Sequence, residues 1–254
     1  MMYDTVAQWS RFLGRALYFG VYRGAKGYGF PKPREQWNTE YQTGHWDYLS
    51  GGGERPVQMV VLGYAIHHHA APSILDVGCG DGVLFDMLQR FPLAEYHGVD
   101  LSEEAIARVR RRALPQSGAL EASRAVFTRA DFENFAPSRR YDVIVFNNSL
   151  MYAEDPLWVL ERFANFLAPG GIIVASLCYN PWQFPIWKRI RRRFSTLRSA
   201  DVTNEGGLLW HVRVLERYTE CLDSSASSEA GEVRANGAGP SLAALSALSP
   251  PARY

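Results

Sequence analysis

The sequence predicts an α/β protein: a doubly wound, mostly parallel sheet of seven strands, with helices on both faces and an antiparallel last strand. Short apolar runs rich in β-branched residues alternate with amphipathic helical stretches, which is the order of a parallel sheet with crossover helices. The turn after the first run contains Gly78, Gly80 and Gly82 at a spacing of two. Near the end, Asn204–Gly207 separates two strand-like runs and predicts a hairpin, which would reverse the last strand.

The individual elements follow from local patterns. The predicted strands cover residues 73–77, 96–100, 125–128, 141–146, 172–177, 198–203 and 208–215. The predicted helices cover residues 55–70, 83–91, 103–112, 155–167 and 185–197. Ser102 is a suitable N-cap for the third helix, because Glu103 and Glu104 follow in its first turn and Arg110–Arg112 lie in its last, as the helix dipole favours.

The glycine turn predicts a ligand site, because it exposes backbone N–H groups at the N-terminus of a helix. The next predicted strand ends in Asp100, near the ~20-residue offset at which an acidic side chain binds a ribose in doubly wound folds. A dinucleotide fingerprint would require a small residue at Val83. Asp76, two residues before the first glycine, would repel a pyrophosphate but suits a ligand carrying an ammonium and a sulfonium. An NAD-type nucleotide-binding oxidoreductase stays as an alternative.

At this point the segment Ile74–Gly82, I-L-D-V-G-C-G-D-G, resembles the first motif of the class I S-adenosylmethionine-dependent methyltransferases. The L-x-P-G-G turn that starts at Leu167, before a hydrophobic strand, resembles a later motif of the same family. The resemblance covers roughly Trp37 to Glu216. It implies a Rossmann-like fold, S-adenosyl-L-methionine as cofactor, and methyl transfer to an O- or N-nucleophile of a small or medium-sized acceptor such as a natural product, sugar or lipid precursor. A catalytically silent regulatory subunit that binds the cofactor is a second alternative.

The resemblance also implies a set of cofactor contacts. Asp100 would accept the ribose hydroxyls, while Asp131 and Phe132 would bind the adenine. Trp37, Tyr41 and Trp46 are expected either to form a lid over the cofactor or to close one end of the core. The full set of implied cofactor residues is Asp76, Gly78, Cys79, Gly80, Asp100, Leu101, Asp131, Phe132, Asn147 and Tyr41.

No residue of the sequence is a certain catalytic group. Methyl transfer from a sulfonium depends mainly on orientation, so a conspicuous acid or base is not required. Asn147–Tyr152 follows the fourth strand and should face the reacting methyl group, because ligands bind at the carboxyl ends of such strands. Many proteins of this family have histidines in that loop, whereas this chain has Tyr152. The candidate bases are Tyr152, Asp155, His45 and His211.

Composition excludes several other classes. A net charge of +1 gives no reason to expect a nucleic-acid partner. The three cysteines lack any C-x-x-C pairing, which disfavours a disulfide framework or a zinc site and predicts a cytoplasmic protein. No metal site is expected at His67–His69, because adjacent helical residues point in different directions. No apolar run approaches the ~20 residues that span a bilayer.

Three segments are expected: an N-terminal helical and aromatic cap (residues 1–54), a methyltransferase core (55–217) and a disordered tail rich in Ser, Ala, Gly and Pro (223–254). An apolar stripe over residues 6–18 would pack on the core or on a second subunit, or would contact a membrane surface peripherally. The basic run Lys188–Arg193, without an acidic neighbour in residues 181–200, indicates a solvated face or a site for an anionic or carrier-linked acceptor.

Overall fold

The computed structural model describes residues 31–113, 125–179 and 183–218. The expectations for residues 1–30 and for the tail 223–254 lie outside these described residues. The helices are α1 (Arg34–Gln42), α2 (Arg55–His67), α3 (Val83–Leu88), α4 (Glu103–Arg112), α5 (Pro156–Ala164) and α6 (Phe184–Ile190). The strands are β1 (Ser73–Val77), β2 (Glu95–Asp100), β3 (Ala125–Arg129), β4 (Tyr141–Asn147), β5 (Leu167–Cys178), β6 (Phe194–Thr203) and β7 (Leu209–Arg217).

The strands form one seven-stranded sheet in the order β3-β2-β1-β4-β5-β7-β6. Strands β1 to β5 pair in parallel, while β7 is antiparallel to both β5 and β6. The predicted fold class is therefore confirmed, including the hairpin around Asn204–Gly207. The strand order reverses between β1 and β4, and open α/β sheets bind their ligands at such a switch point, outside the carboxyl ends of the strands.

Helices cover both faces of the sheet because successive strand residues point to opposite sides. Ile74 belongs to a buried cluster that joins the sheet to α2, α3 and α4. Its neighbour Leu75 belongs to a second cluster, shared with α5 and α6. Each fully buried Val, Leu, Ile or Phe side chain contributes about 1.5–3 kcal/mol relative to an exposed one, so these two clusters hold the helices against the sheet.

The predicted helix over residues 185–197 is wrong in its second half. Helix α6 ends at Ile190, residues 191–193 form a turn, and Phe194 starts β6 opposite Arg217 of β7. Ile186, Ile190 and Phe194 are all buried, although the last of them lies in a strand. Their spacing of four residues is compatible with a helix, so this spacing alone did not show where the helix stops.

Helix α2 is shorter than predicted and ends at His67. The Nε2 atom of the next residue, His68, lies 2.9 Å from the carbonyl oxygen of Gly170. Within the described ranges, no group of three or more His, Cys, Asp or Glu side chains is arranged to hold a metal ion. In the same ranges, no helix has the length and apolar character needed to cross a membrane.

Candidate active site

A cavity of about 530 Å³ lies at the carboxyl ends of β1, β2 and β4. Its volume is within the range of about 300–1,000 Å³ that is usual for small-molecule sites. Its wall includes the glycine turn after β1, the end of β2, the loop after β4 and the aromatic segment around α1. The cavity therefore occupies the switch point of the sheet.

The glycine turn folds back on the end of β2. The amides of Gly78 and Cys79 both donate to the carbonyl oxygen of Val99, at 2.7 and 3.0 Å. Gly80 has a φ of +56°, in the left-handed region that side chains disfavour. A Cβ atom added at Gly80 would lie 2.6 Å from the hydroxyl of Tyr41, so the space above the turn admits no side chain.

Asp100 connects this turn to the helix that follows β2. One carboxylate oxygen accepts a hydrogen bond from the amide of Gly80 and the other from the amide of Ser102, both at 2.8 Å. Ser102 caps α4 by accepting from the amide of Ala105. Burial raises the pKa of Asp100 to about 6 even though these backbone N–H groups favour the carboxylate. The predicted N-cap is confirmed.

Asp76 is a buried carboxyl group with an unused acceptor atom. Its side chain is 1% exposed, and one oxygen accepts a hydrogen bond from the hydroxyl of Tyr96 at 2.7 Å. The other oxygen, Oδ1, has no hydrogen-bond partner among the described residues. Burial, with a further contribution from the charge of Asp100, raises the pKa of Asp76 to about 7. A ligand that brings a positive charge and N–H donors would satisfy this group.

The residues expected to contact adenine lie on the same cavity wall. Asp131 and Phe132 follow β3, and Leu101 follows β2. Asp131 is held in place, since its carboxylate accepts from the amide of Glu133 at 2.9 Å and from the side chain of Asn134 at 3.0 Å. The cavity thus brings together the whole expected set, which comprises Asp76, Gly78, Cys79, Gly80, Asp100, Leu101, Asp131, Phe132, Asn147 and Tyr41.

Aromatic side chains form a further part of the cavity wall. Trp37 stacks on Trp46 with ring centroids 5.5 Å apart and meets Tyr152 edge-on at 4.7 Å. The ammonium of Lys32 lies 4.6 Å from the Trp37 ring and 5.0 Å from the Trp46 ring, and it pairs with Glu40 at 3.0 Å. The aromatic residues expected as a lid or as core closure thus line the cavity itself.

Of the four candidate bases, only Tyr152 is among the residues that line the cavity. Burial raises the pKa of Tyr152, which keeps the phenol neutral and makes it a poor proton acceptor. Asp155 instead caps α5 by accepting from the amide of Leu157 at 3.0 Å, and it pairs with Arg189 at 2.8 Å. His211 binds Asp201 on the β6–β7 hairpin at 2.8 Å, and His45 is exposed with its ring edge-on to Trp46.

Sequence reasoning missed several residues of this cavity. Glu54 and Gln58 lie at the start of α2, Tyr48 precedes them, and Cys178 ends β5. The only sequence signal was an acidic residue just before Arg55 and Pro56, where a helix begins, and such a residue usually caps the helix. Nothing local to the sequence showed that this helix end faces the glycine turn.

Comparison with known proteins gives an independent result. Residues 75–173 match the family model described as a methyltransferase domain. Trans-aconitate 2-methyltransferase of Acidovorax ebreus (strain TPSY) is 32% identical over 139 residues, which cover 53% of this chain and 50% of that protein. The enzyme of the same name from Escherichia coli O1:K1 is also 32% identical, with 54% and 51% covered. The chain spans about half the length of these curated relatives.

Solved structures agree on the fold. N-methyltransferase NodS from Bradyrhizobium japonicum WM9, in complex with S-adenosyl-L-homocysteine, superimposes with a TM-score of 0.59 at 17% identity and covers 71% of this chain and 97% of that one. Magnesium protoporphyrin IX methyltransferase from Synechocystis PCC 6803 gives a TM-score of 0.57 at 15% identity, with 73% and 98% covered. Together with the glycine turn and the strand order, the family match makes the described domain similar to the class I S-adenosylmethionine-dependent methyltransferases.

Proposed function

We propose that this protein transfers a methyl group from S-adenosyl-L-methionine to a small or medium-sized acceptor bound in the cavity. The observation that carries the proposal is the pair of carboxyl groups, Asp76 and Asp100, on the wall that also contains the glycine turn. Asp76 has a buried oxygen without a partner among the described residues, and two acidic groups in one small cavity favour a cationic ligand over a pyrophosphate. When bound, S-adenosylmethionine supplies a methyl group that its positively charged sulfur makes electrophilic.

The residues present fit this cofactor. Ser149 and Tyr41 approach Gly78 and Gly80 so closely that neither position has space for a side chain. The unpaired oxygen of Asp76 would receive the amino group of the ligand. Asp100, fixed by two backbone amides, would accept the ribose hydroxyls, and charge-assisted bonds of this type are about twice as strong as neutral ones. Asp131 and Phe132 would bind the adenine.

The contribution of the chain to the reaction is positioning. Holding two reactants in productive geometry can lower a barrier by ~7–11 kcal/mol, apart from any contribution of proton transfer. Trp37, Trp46 and Tyr152 give part of the cavity wall an aromatic, largely apolar surface. Catalysis by positioning is compatible with the observation that Tyr152, the one predicted base that lines the cavity, is a neutral phenol.

Two alternatives are less well supported. An NAD-type oxidoreductase requires a small residue where Val83 begins α3, and its pyrophosphate would meet the carboxyl groups of Asp76 and Asp100. A silent regulatory subunit would bind the cofactor without transferring its methyl group. The cavity next to the glycine turn favours an enzyme over this alternative, because it provides room for an acceptor.

The test is calorimetric titration of the full chain with S-adenosylmethionine, S-adenosylhomocysteine and NADH. We expect both adenosyl ligands to bind and NADH to give no heat. Asp100→Asn keeps the volume of the side chain but removes its charge, so it should weaken S-adenosylmethionine binding at least tenfold, roughly 1.4 kcal/mol. Glu103→Gln, which changes an exposed carboxylate in the first turn of α4, is the matched control and should bind as the wild type does. Binding of NADH, or an unchanged affinity in Asp100→Asn, would contradict the proposal.

A further inference from the structure

Two polar side chains at the start of α2, Glu54 and Gln58, line the cavity. Glu54 occupies the N-cap position of α2, yet its side chain makes no capping hydrogen bond. It is only 7% exposed and lines the cavity. Gln58, one helical turn later on the same face, is 4% exposed, and its Nε2 donates to the carbonyl oxygen of Leu49 at 2.6 Å. That bond fixes the orientation of the amide and leaves Oε1 without a partner among the described residues.

Glu54 is the charged centre of this part of the wall. Burial raises its pKa, and no hydrogen bond or positive charge in the described part of the chain opposes that rise. Tyr48 and Cys178 line the same cavity as Glu54. After burial itself, the charge of Glu54 is the main cause that raises the pKa of both groups. We call these four residues, Tyr48, Glu54, Gln58 and Cys178, the acceptor wall.

The charged side chains that line the cavity are mostly acidic. The described residues that line it include six acidic side chains and one basic side chain, Lys32. The ammonium of Lys32 already contacts both oxygens of Glu40, at 3.1 and 3.0 Å, so its charge is compensated. An anionic acceptor would therefore enter a cavity of its own sign, and this like-charge contact is unfavourable.

Resting on the proposed function, we infer that the acceptor is a small amine that binds in its protonated form against the acceptor wall. The ammonium gives one proton to the carboxylate of Glu54, and the nitrogen lone pair then accepts the methyl group from the sulfonium, so that the products are a methylated ammonium and S-adenosylhomocysteine. An ammonium group carries three N–H donors, which can serve both the carboxylate of Glu54 and Oε1 of Gln58, whereas a hydroxyl has one donor and a carboxylate has none. A carboxylate acceptor brings no donor, so it would leave the buried Oε1 of Gln58 unpaired and would meet the like charge of Glu54. Tyr48 also lines the cavity, and an aromatic ring attracts a cation placed over its face.

The test uses a matched pair of probes, benzylamine and benzoate, which have similar size but opposite charge. Each is titrated by calorimetry into the full chain saturated with S-adenosylhomocysteine. We expect benzylamine to bind at least tenfold more tightly than benzoate. Glu54→Gln should weaken benzylamine about tenfold and reduce the preference over benzoate. Glu205→Gln, an exposed carboxylate in the β6–β7 turn, is the control and should change neither probe. Gln58→Leu, which keeps the helix and removes only the amide, is a second variant in case Glu54→Gln does not fold.

The outcomes are distinguishable. Failure of the wild-type chain to bind S-adenosylhomocysteine would contradict the proposed function. With that binding intact, the inference is overturned by equal or tighter binding of benzoate, by no measurable binding of either probe, or by benzylamine binding that a folded Glu54→Gln or Gln58→Leu variant leaves unchanged.

Discussion

At the cavity wall, two carboxyl groups are kept at pKa values close to physiological pH. The pKa of Asp76 is about 7 and that of Asp100 about 6, both raised chiefly by burial. The hydroxyl of Tyr96 and the amides of Gly80 and Ser102 stabilise the charged forms but do not cancel the cost of burial. A cationic ligand would complete the stabilisation of both carboxylates.

This arrangement predicts a pH dependence of cofactor binding. A positively charged ligand favours the ionised carboxylates, so binding should release protons below pH 7 and the affinity for S-adenosylmethionine should rise from pH 5 to pH 8. The stability of the ligand-free protein should change in the opposite sense. Because the pKa of Asp76 is raised in the folded state, its contribution to stability is present at low pH and lost as the pH rises through about 7.

Calorimetry at a series of pH values, with melting temperatures of the ligand-free chain, checks this prediction. Asp76→Asn should flatten the dependence of affinity on pH, since one of the two titrating groups is removed. Asp201→Asn, on the remote β6–β7 hairpin, should leave it as in the wild type. An affinity that is constant or falls with rising pH would contradict the assignment of these carboxyl groups to the cofactor.

Single residues were predicted from the sequence only where a local motif constrains them. Asp76, Gly80 and Asp100 lie in or next to one strand–turn–helix motif, so their common position follows from the chain itself. Asp155 and His211 were chosen by residue type, but the first serves as a helix cap and the second as an ion-pair partner. Glu54 was not recognised, because its proximity to the glycine turn depends on how α2 packs on the sheet.

Among the elements, the aromatic segment 31–50 depends on α4 for its position. The side-chain oxygen of Asn38 accepts from the hydroxyl of Ser102 and from the amide of Glu103, both at 2.9 Å. Arg108, which also lies on α4, pairs with Asp47 at 2.8 Å and donates a hydrogen bond to the carbonyl oxygen of Tyr41. The helix that follows Asp100 therefore also holds the wall that carries Trp37 and Trp46.

We expect Arg108→Ala to loosen this wall without unfolding the sheet. Loss of its two contacts should raise hydrogen exchange in residues 34–48 and weaken S-adenosylmethionine binding several-fold. Hydrogen exchange by mass spectrometry and calorimetry measure the two effects. Arg111→Ala is the matched control, because that arginine is on the same helix, largely exposed, and pairs only with Glu104 within the described residues. Equal exchange in the two variants would show that Arg108 does not anchor the segment.

The limits of sequence prediction for elements are clear at α6. Residues 185–190 are helical, as predicted. From Phe194 onward the chain forms β6 instead of helix, because β7 supplies backbone hydrogen-bond partners that no local sequence pattern reveals.

The basic run Lys188–Arg193 has more acidic neighbours in the structure than it has along the sequence. Arg189 pairs with Asp155 and Arg193 with Glu161, both supplied by α5, so the absence of acidic neighbours along the chain does not leave these two charges unbalanced. This pairing weakens the expectation of an anionic acceptor on α6.

For the molecule as a whole, the position of the cavity follows from strand order. Placing β4 beside β1 creates the switch point, and the glycine turn after β1 and the loop after β4 then lie on the same edge of the sheet. The alternation of strands and helices predicted the parallel sheet and the hairpin. The acceptor side could not be predicted, because it combines segments distant in sequence: the start of α2, the end of β5 and the aromatic segment around α1.

The division into a cap, a core and a disordered tail stays a prediction, and a shortened chain tests its last part. Among the described residues, the last strand ends at Arg217 and the last buried core residue is Leu215. Residues 223–254 are rich in Ser, Ala, Gly and Pro, a composition that buries too little apolar surface to offset the entropy lost on ordering. A chain ending at Ser224 should therefore keep the melting temperature of the full chain and its affinity for S-adenosylmethionine. Differential scanning calorimetry and titration measure both. A melting temperature several degrees lower would show that the tail packs on the domain, since a loss of 1 kcal/mol shifts the midpoint of a domain of about 150–250 residues by about 2–4 °C.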